Sequence, residues 1–403
     1  MNKNLLKTCL ATGLLLAVSL ACASGSGVTG LGNSNLRIVM AETPLDRLKD
    51  SQRLMVFVDV YSSHQGIYWL DLDHHTLYLA TTKPKVTSSV DGSTYPLIPL
   101  DFNMTTWNGR AFIYGSRVHG FYALAPDGGV EKRSDVGYVG SLADNGAQIL
   151  RFSKCGPDEQ GSAYEITPLD RLVGEAGYCF GGDSSGADWV YVNPVWNPHL
   201  PRVDFIVSER NGRGDSMVVK STKLLRPLEN GEMVEVADLG ADFKILECCL
   251  HPRPDGEAFY IANSPSGTFR VVDGQGRLLS DLNAASQQFP ELEMSGQLSW
   301  APDSRQAILV FKEKGCQRNC ARTLVHASDD FKTLKLLVSL PEELKHAGKF
   351  AWSPDSVYVA LYADNHDGSD YPPRILTINL QDGSTKDYIL PTFSILRDMR
   401  WVR

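Results

Sequence analysis

Short apolar runs rich in β-branched and aromatic residues recur along the chain, each entered through a tight polar turn. Ser299-Trp300-Ala301-Pro302-Asp303-Ser304 leads into Gln306-Ala307-Ile308-Leu309-Val310-Phe311, and Ala351-Trp352-Ser353-Pro354-Asp355-Ser356 leads into Tyr358-Val359-Ala360-Leu361-Tyr362. The two tryptophans stand about fifty residues apart, a period that fits four short strands and their turns. Weaker copies extend the series toward the N-terminus: Leu250-His251-Pro252-Arg253-Pro254-Asp255-Gly256 before Ala258-Phe259-Tyr260-Ile261, Val195-Trp196-Asn197-Pro198 before Val203-Asp204-Phe205-Ile206, Trp107-Asn108-Gly109 before Ala111-Phe112-Ile113, and Asp144-Asn145-Gly146 before Ala147-Gln148-Ile149-Leu150. Pro presets φ at the first turn position, Asp or Asn accepts local backbone hydrogen bonds and Gly tolerates positive φ, so one strand folds straight onto the next.

A third strand follows in each unit, as in Phe269-Arg270-Val271-Val272 before Asp273-Gly274, and a fourth closes it, as over 334–340 or 386–390. Inner strands are expected near Pro99, Tyr138, Pro194, Ile245, Gln297 and Lys349, while residues 54–81 supply three strands with no first strand of their own. The missing strand is at the other terminus: Asp398-Met399-Arg400-Trp401-Val402 stops one period after Trp352, with nothing following it. The pattern therefore predicts an all-β chain forming a single β-propeller over 54–403, with seven four-stranded blades and a ring closed by strands from both termini. Closure removes the unpaired edge and uncovered apolar face that an open array would leave at each end. Residues 24–53 read as a tether and lead-in, Ser- and Gly-rich at first, with a short helix over 43–54.

The Trp-x-Pro-Asp-(Ser/Gly) turn followed by an apolar strand resembles the WD-like repeat of TolB-type propellers and of the propeller domains of prolyl-oligopeptidase relatives. The resemblance covers about the last 350 residues and implies a propeller; it is nearly silent on function. TolB carries an additional N-terminal α/β domain, and prolyl-oligopeptidase relatives an α/β-hydrolase domain. The present chain has room for neither, so no Tol role and no hydrolase triad carries over.

Composition adds a compartment. Lys3 and Lys7 precede an apolar run from Leu10 to Ala21 and then small residues, the order of a secretory signal, which sets residues 1–23 apart from the fold. Two cleavage readings stay open: ordinary processing at Ala21 and Ala23, or lipidation of Cys22, followed by Ala23-Ser24-Gly25-Ser26-Gly27 as a tether. The expected location is outside the cytoplasmic membrane of a bacterium, in the periplasm or on the cell surface, with any membrane attachment through the N-terminal lipid alone. A net charge of −8 provides no overall positive field for phosphates and argues against nucleic-acid partners.

Export permits disulfides. Cys316-Gln317-Arg318-Asn319-Cys320 lies between two strands of one unit, so a Cys316–Cys320 bridge is expected in preference to a zinc site. Strand alternation sends the adjacent Cys248 and Cys249 to opposite faces, and Cys155 with Cys179 remains as a pair by elimination. Gly182-Asp183-Ser184-Ser185-Gly186 matches G-x-S-x-G, but a nucleophile elbow joins a strand to a helix, and here a strand follows. Arg213-Gly214-Asp215 is explained by turn composition. Asp364-Asn365-His366-Asp367-Gly368-Ser369-Asp370 offers oxygen ligands without the spacing of a calcium loop. The histidines, His74-His75 included, follow no metal-binding spacing.

No catalytic, metal or cofactor set emerges. The expected function is that of a monomeric, non-catalytic binding or scaffold propeller that presents one face to a protein or glycan. The alternative is a propeller-fold hydrolase or lyase acting on peptides or carbohydrates, its residues converging at the channel mouth from different blades.

Overall fold

The computed structural model of the protein describes residues 35–37, 39–40, 53–59, 66–81, 85–87, 94–96, 102–107, 110–115, 121–124, 130–134, 139–142, 148–154, 161–168, 176–181, 188–197, 200, 202–212, 218–228, 232–241, 250–263, 268–316, 320–340, 344, 346–364, 372–391 and 395–402. Two short strands come first, β1 (Asn35–Arg37) and β2 (Val39–Met40). The first full sheet then begins with β3 (Arg53–Asp59), β4 (Gly66–Asp71) and β5 (Thr76–Thr81). A hairpin of β6 (Lys85–Thr87) and β7 (Thr94–Pro96) precedes the second sheet. That sheet holds β8 (Phe102–Trp107), β9 (Arg110–Gly115), β10 (Phe121–Leu124) and β11 (Val130–Ser134). The third holds β12 (Val139–Leu142), β13 (Gln148–Lys154), β14 (Gly161–Pro168) and β15 (Ala176–Gly181).

The fourth sheet is β16 (Asp188–Trp196), β17 (Val203–Asn211), β18 (Val218–Pro227) and β19 (Met233–Asp238). The fifth is β20 (Leu250–Pro252), β21 (Ala258–Asn263), β22 (Thr268–Asp273) and β23 (Leu278–Asp281), followed by a one-turn helix, α1 (Leu282–Ser286). The sixth is β24 (Leu292–Trp300), β25 (Gln306–Glu313), β26 (Arg322–Ser328) and β27 (Leu334–Ser339). The last is β28 (His346–Trp352), β29 (Tyr358–Asp364), β30 (Arg374–Asn379) and β31 (Thr385–Ile389), after which β32 (Ile395–Val402) ends the chain.

Apart from β1 and β2, the strands of each sheet pair antiparallel in chain order, and β32 takes the place beside β3 that a first strand would occupy. First strands touch from sheet to sheet: β32 meets β28 and β8, β8 meets β12, β16 meets β20 and β20 meets β24. They lie innermost, and the sheets follow one another around them as a β-propeller.

The core sits between consecutive sheets. Tyr260, Val271, Trp300, Leu309 and Phe311 join the fifth sheet to the sixth, and Ile308, Val310, Val338, Val359, Leu361 and Leu376 join the sixth to the last. The sixth sheet is covered on both faces, which is why Ala307 through Phe311 are buried in succession instead of alternating with exposed residues. Fully burying one such side chain is worth about 1.5–3 kcal/mol. Across the closing seam, Leu54, Tyr68 and Leu70 of the first sheet pack with Tyr362, Ile375 and Tyr388 of the last and with Leu396 and Met399 of β32.

The closing strand falls where the sequence places it, paired from Arg53↔Val402 to Asp59↔Ile395. Inner strands start earlier than expected in places, at Leu292 instead of Gln297 and at His346 instead of Lys349. Both carry a register shift, between Met294 and Leu298 and between Ala347 and Phe350, which lets the strand extend past the irregular residues. Within the expected tether and lead-in over 24–53, β1 and β2 pair with the propeller. Of the helix expected over 43–54, Arg53 and Leu54 belong to β3, and the rest lies outside the described residues, as do residues 1–34 with Cys22.

Candidate functional site

Four antiparallel strands in chain order divide their connections between two ends. The turns from first to second strand and from third to fourth lie at one end. The second-to-third connections and those between sheets lie at the other.

At the first end the repeat turns are fastened to one another. Trp352 Nε1 donates to Ser299 Oγ at 2.9 Å, and Trp300 Nε1 to the His251 carbonyl at 3.2 Å. The Asp303 N–H donates to Ser356 Oγ at 3.1 Å, and the Asp255 N–H to Ser304 Oγ at 2.9 Å. Arg202 Nη2 donates to the Gly256 carbonyl at 2.7 Å. Beside it, Arg226 Nε donates to the buried Asp204 Oδ1 at 2.9 Å, with burial pushing that carboxyl up against the pull of Arg226 and Arg202. His74 also lies at this end, 2.9 Å from Asp71 Oδ2 through Nδ1, and His75 meets the Tyr388 ring edge-on. This end is occupied with holding sheets together.

By chain order, the other motifs that the sequence singled out fall in or next to second-to-third and between-sheet connections. Residues 182–186 connect β15 to β16, 213–216 connect β17 to β18, Cys248 and Cys249 precede β20, Cys155 follows β13, and the acidic segment after Asp364 joins β29 to β30. Ser184, Arg213, Asp215, Cys155, Cys248 and Cys249 lie outside the described residues, as do 365–370. Cys179 is on β15, paired with Ala163. Cys316 and Cys320 form the expected disulfide between β25 and β26, their Cα atoms 5.7 Å apart.

That bridge adjoins a charged pair for which the sequence offered no signal beyond ordinary strand-end polarity. Glu293 is the second residue of the inner strand β24, and its carboxylate lies 2.8 Å from the Lys312 ammonium on β25. Lys312 Nζ also donates to the Cys316 carbonyl at 2.8 Å, and the Lys314 N–H donates to the Glu291 carbonyl at 3.0 Å. The Lys312 hydrogen bond, the Gly315 N–H and the nearby Lys314 charge hold the Glu293 carboxyl below its usual range. The two side chains keep 39% and 24% of their surface exposed. The result is a fixed carboxylate and ammonium side by side on the innermost part of the ring, backed by a disulfide-clamped loop. Among the described residues, no group of three or more His, Cys, Asp and Glu is placed to hold a metal ion.

No protein-family model matches the chain, and no curated protein matches its sequence. Similar solved structures include an oligogalacturonate lyase from Vibrio parahaemolyticus, 13% identical over 75% of this chain and 83% of that one, with a TM-score of 0.49. The periplasmic gluconolactonase of Pseudomonas aeruginosa is 16% identical over 87% and 99%, with a TM-score of 0.47. An oligogalacturonate lyase in complex with manganese is 15% identical over 72% and 84%, with a TM-score of 0.44. The expected non-catalytic binding or scaffold role is corrected by these comparisons, since the similar structures are for the most part those of enzymes. At such identities no substrate or residue role passes to this chain.

Proposed function

We propose that the protein is a propeller-fold enzyme, a hydrolase or lyase acting on a carbohydrate, that works at the end of the ring opposite the repeat turns. The observation that carries this reading is the Glu293–Lys312 pair on the inner strand wall, fixed by the loop that Cys316 and Cys320 close. Each hydroxyl of a sugar both donates and accepts, so a carboxylate and an ammonium held adjacent suit a vicinal diol better than a peptide backbone. Glu293 stays ionised and therefore serves as an acceptor that positions substrate. A carboxyl this acidic is a weak proton donor near neutral pH.

The proposal includes seven blades around one axis, with the seven described sheets as its support, and kinship with TolB-type repeats, which rests on the turn residues alone. It also places the protein outside the cytoplasmic membrane, acting as a monomer and held there through Cys22 if the lipoprotein reading of the signal applies. Conversion of Cys22→Ala should then release the protein from membrane fractions.

The test is turnover of neutral and acidic oligosaccharides, sugar lactones and peptides by the wild-type protein and by Glu293→Gln. Turnover of at least one carbohydrate is expected, with kcat/KM reduced tenfold or more in the variant, about 1.4 kcal/mol of lost transition-state stabilisation. The thermal midpoint should change little. Inactivity on all carbohydrates, activity confined to peptides, or an unchanged kcat/KM in the variant would overturn the assignment.

A further inference from the structure

The first strands of the chain do something that no other described segment does: they add to the outer edges of two sheets. β1 pairs parallel with β31, the outermost strand of the last sheet, through Asn35↔Asp387, Leu36↔Tyr388 and Arg37↔Ile389. β2 pairs parallel with β5, the outermost strand of the first sheet, through Val39↔Thr76 and Met40↔Leu77. Only Ile38 separates the two strands. Those sheets meet at the seam that the chain crosses between β31 and β32, and β32 closes it from inside by pairing with β3, to which no turn joins it. Leu36 packs on the apolar cluster that fills this seam, against which Leu54, Tyr68, Tyr388 and Met399 also lie.

We infer that residues 35–40 form an external latch on the ring, so that closure is held from both termini and at both the inner and the outer edge. The physical reason is bivalence. With one intervening residue, the segment reaches β31 and β5 together only when their edges stand side by side. Either pairing alone offers two or three residues of parallel ladder, too little to repay the ordering of the strand. Once one half is seated, the other meets its edge at high effective concentration, so both form together in the closed ring. The latch also covers outer edges beside the seam that would otherwise be open to strand addition by another chain. Proteolytic trimming past Met40 would remove the latch while leaving every strand of the seven sheets in the chain.

Hydrogen exchange distinguishes a latch from a general contribution to stability. The chain that begins at residue 24 is compared with one that begins at residue 41, and with full-length Leu36→Asp and Leu36→Ile. In the truncated chain and in Leu36→Asp, amides of β3, β5, β31 and β32 should exchange about tenfold faster or more, while those of β21 and β25 keep their rates. Leu36→Ile should exchange like the parent. Unchanged exchange at the seam, or an equal acceleration in β21 and β25, would overturn the inference. Should the truncated chain fail to fold, the two full-length variants decide the matter by the same comparison.

Discussion

Gly276 and Gly383 both hold the backbone at positive φ, 79° and 75°, in turns from a third to a fourth strand. Their surroundings differ. A Cβ on Gly276 would collide with the carbonyl oxygen of Val236 in the preceding sheet, whereas a Cβ on Gly383 meets nothing within 4 Å. Gly383→Ala should therefore cost only the left-handed backbone term, about 1–2 kcal/mol. Gly276→Ala adds displacement of a neighbouring strand and should cost about 2–4 kcal/mol. Urea midpoints of the two variants test this, and equal losses would show that the sheets give way at no cost. Asp330 is a carboxylate held within its own turn. Hydrogen bonds from the Ser328 hydroxyl and then from Lys332 hold its carboxyl down at about 2. Because the folded value lies below the unfolded one, its contribution is present above about pH 4 and is lost as pH falls through about 2. A carboxyl-carbon NMR titration with a midpoint near 4 would contradict it. The turn glycines were legible in sequence as turn formers. Which of them touches a neighbouring sheet was not, because the contact joins residues that chain order separates.

At the scale of the element, the turn between first and second strands explains why the repeat accepts Ser or Gly after Asp. Gly256, Ser304 and Ser356 occupy the same place with φ of 76°, 62° and 59°. Glycine fits it without strain, while the serines accept a hydrogen bond from the preceding sheet's turn, as Ser356 Oγ does from the Asp303 N–H. Two effects of similar size oppose each other. Ser356→Gly should stay within about 1 kcal/mol of the parent, and Ser356→Ala, which keeps the strain and loses the bond, should cost about 1–2 kcal/mol. Chemical denaturation of the pair is the measurement, and an alanine variant no weaker than the glycine one would mean that the inter-sheet bond contributes nothing. The turn motif was readable because its local backbone demands few residue types. Its second task, fastening one sheet to the next, was only partly readable, through the tryptophan ahead of it. Glu293 and Lys312 were unreadable as a pair: nineteen positions apart by their numbers, they meet because β24 and β25 are hydrogen-bonded through Glu293↔Lys312.

For the whole molecule the decisive contact joins the two termini. Removing residues 398–403 takes away the partners of Arg53 through Phe57 on β3 and the buried Met399. That deletion should lower stability by on the order of 5 kcal/mol or prevent soluble expression, from lost burial and an exposed inner edge. Thermal unfolding at the parent midpoint would count against closure by β32. By itself the amino-acid sequence determined the all-β class, the four-strand period, the turn chemistry and the strand that completes the first sheet, because apolar runs and turn dihedrals are set within a few residues of chain and their repetition shows which strand one unit lacks. It also placed the Cys316–Cys320 bridge, whose partners share one hairpin. Only the tertiary structure decided which end of the ring is fastened and which carries the varied connections, that Glu293 and Lys312 stand together, and that residues 35–40 lie across the seam. Each of these depends on how strands from distant parts of the chain are set side by side, and a parallel two-residue pairing such as β2 with β5 leaves no periodic signature of its own to read.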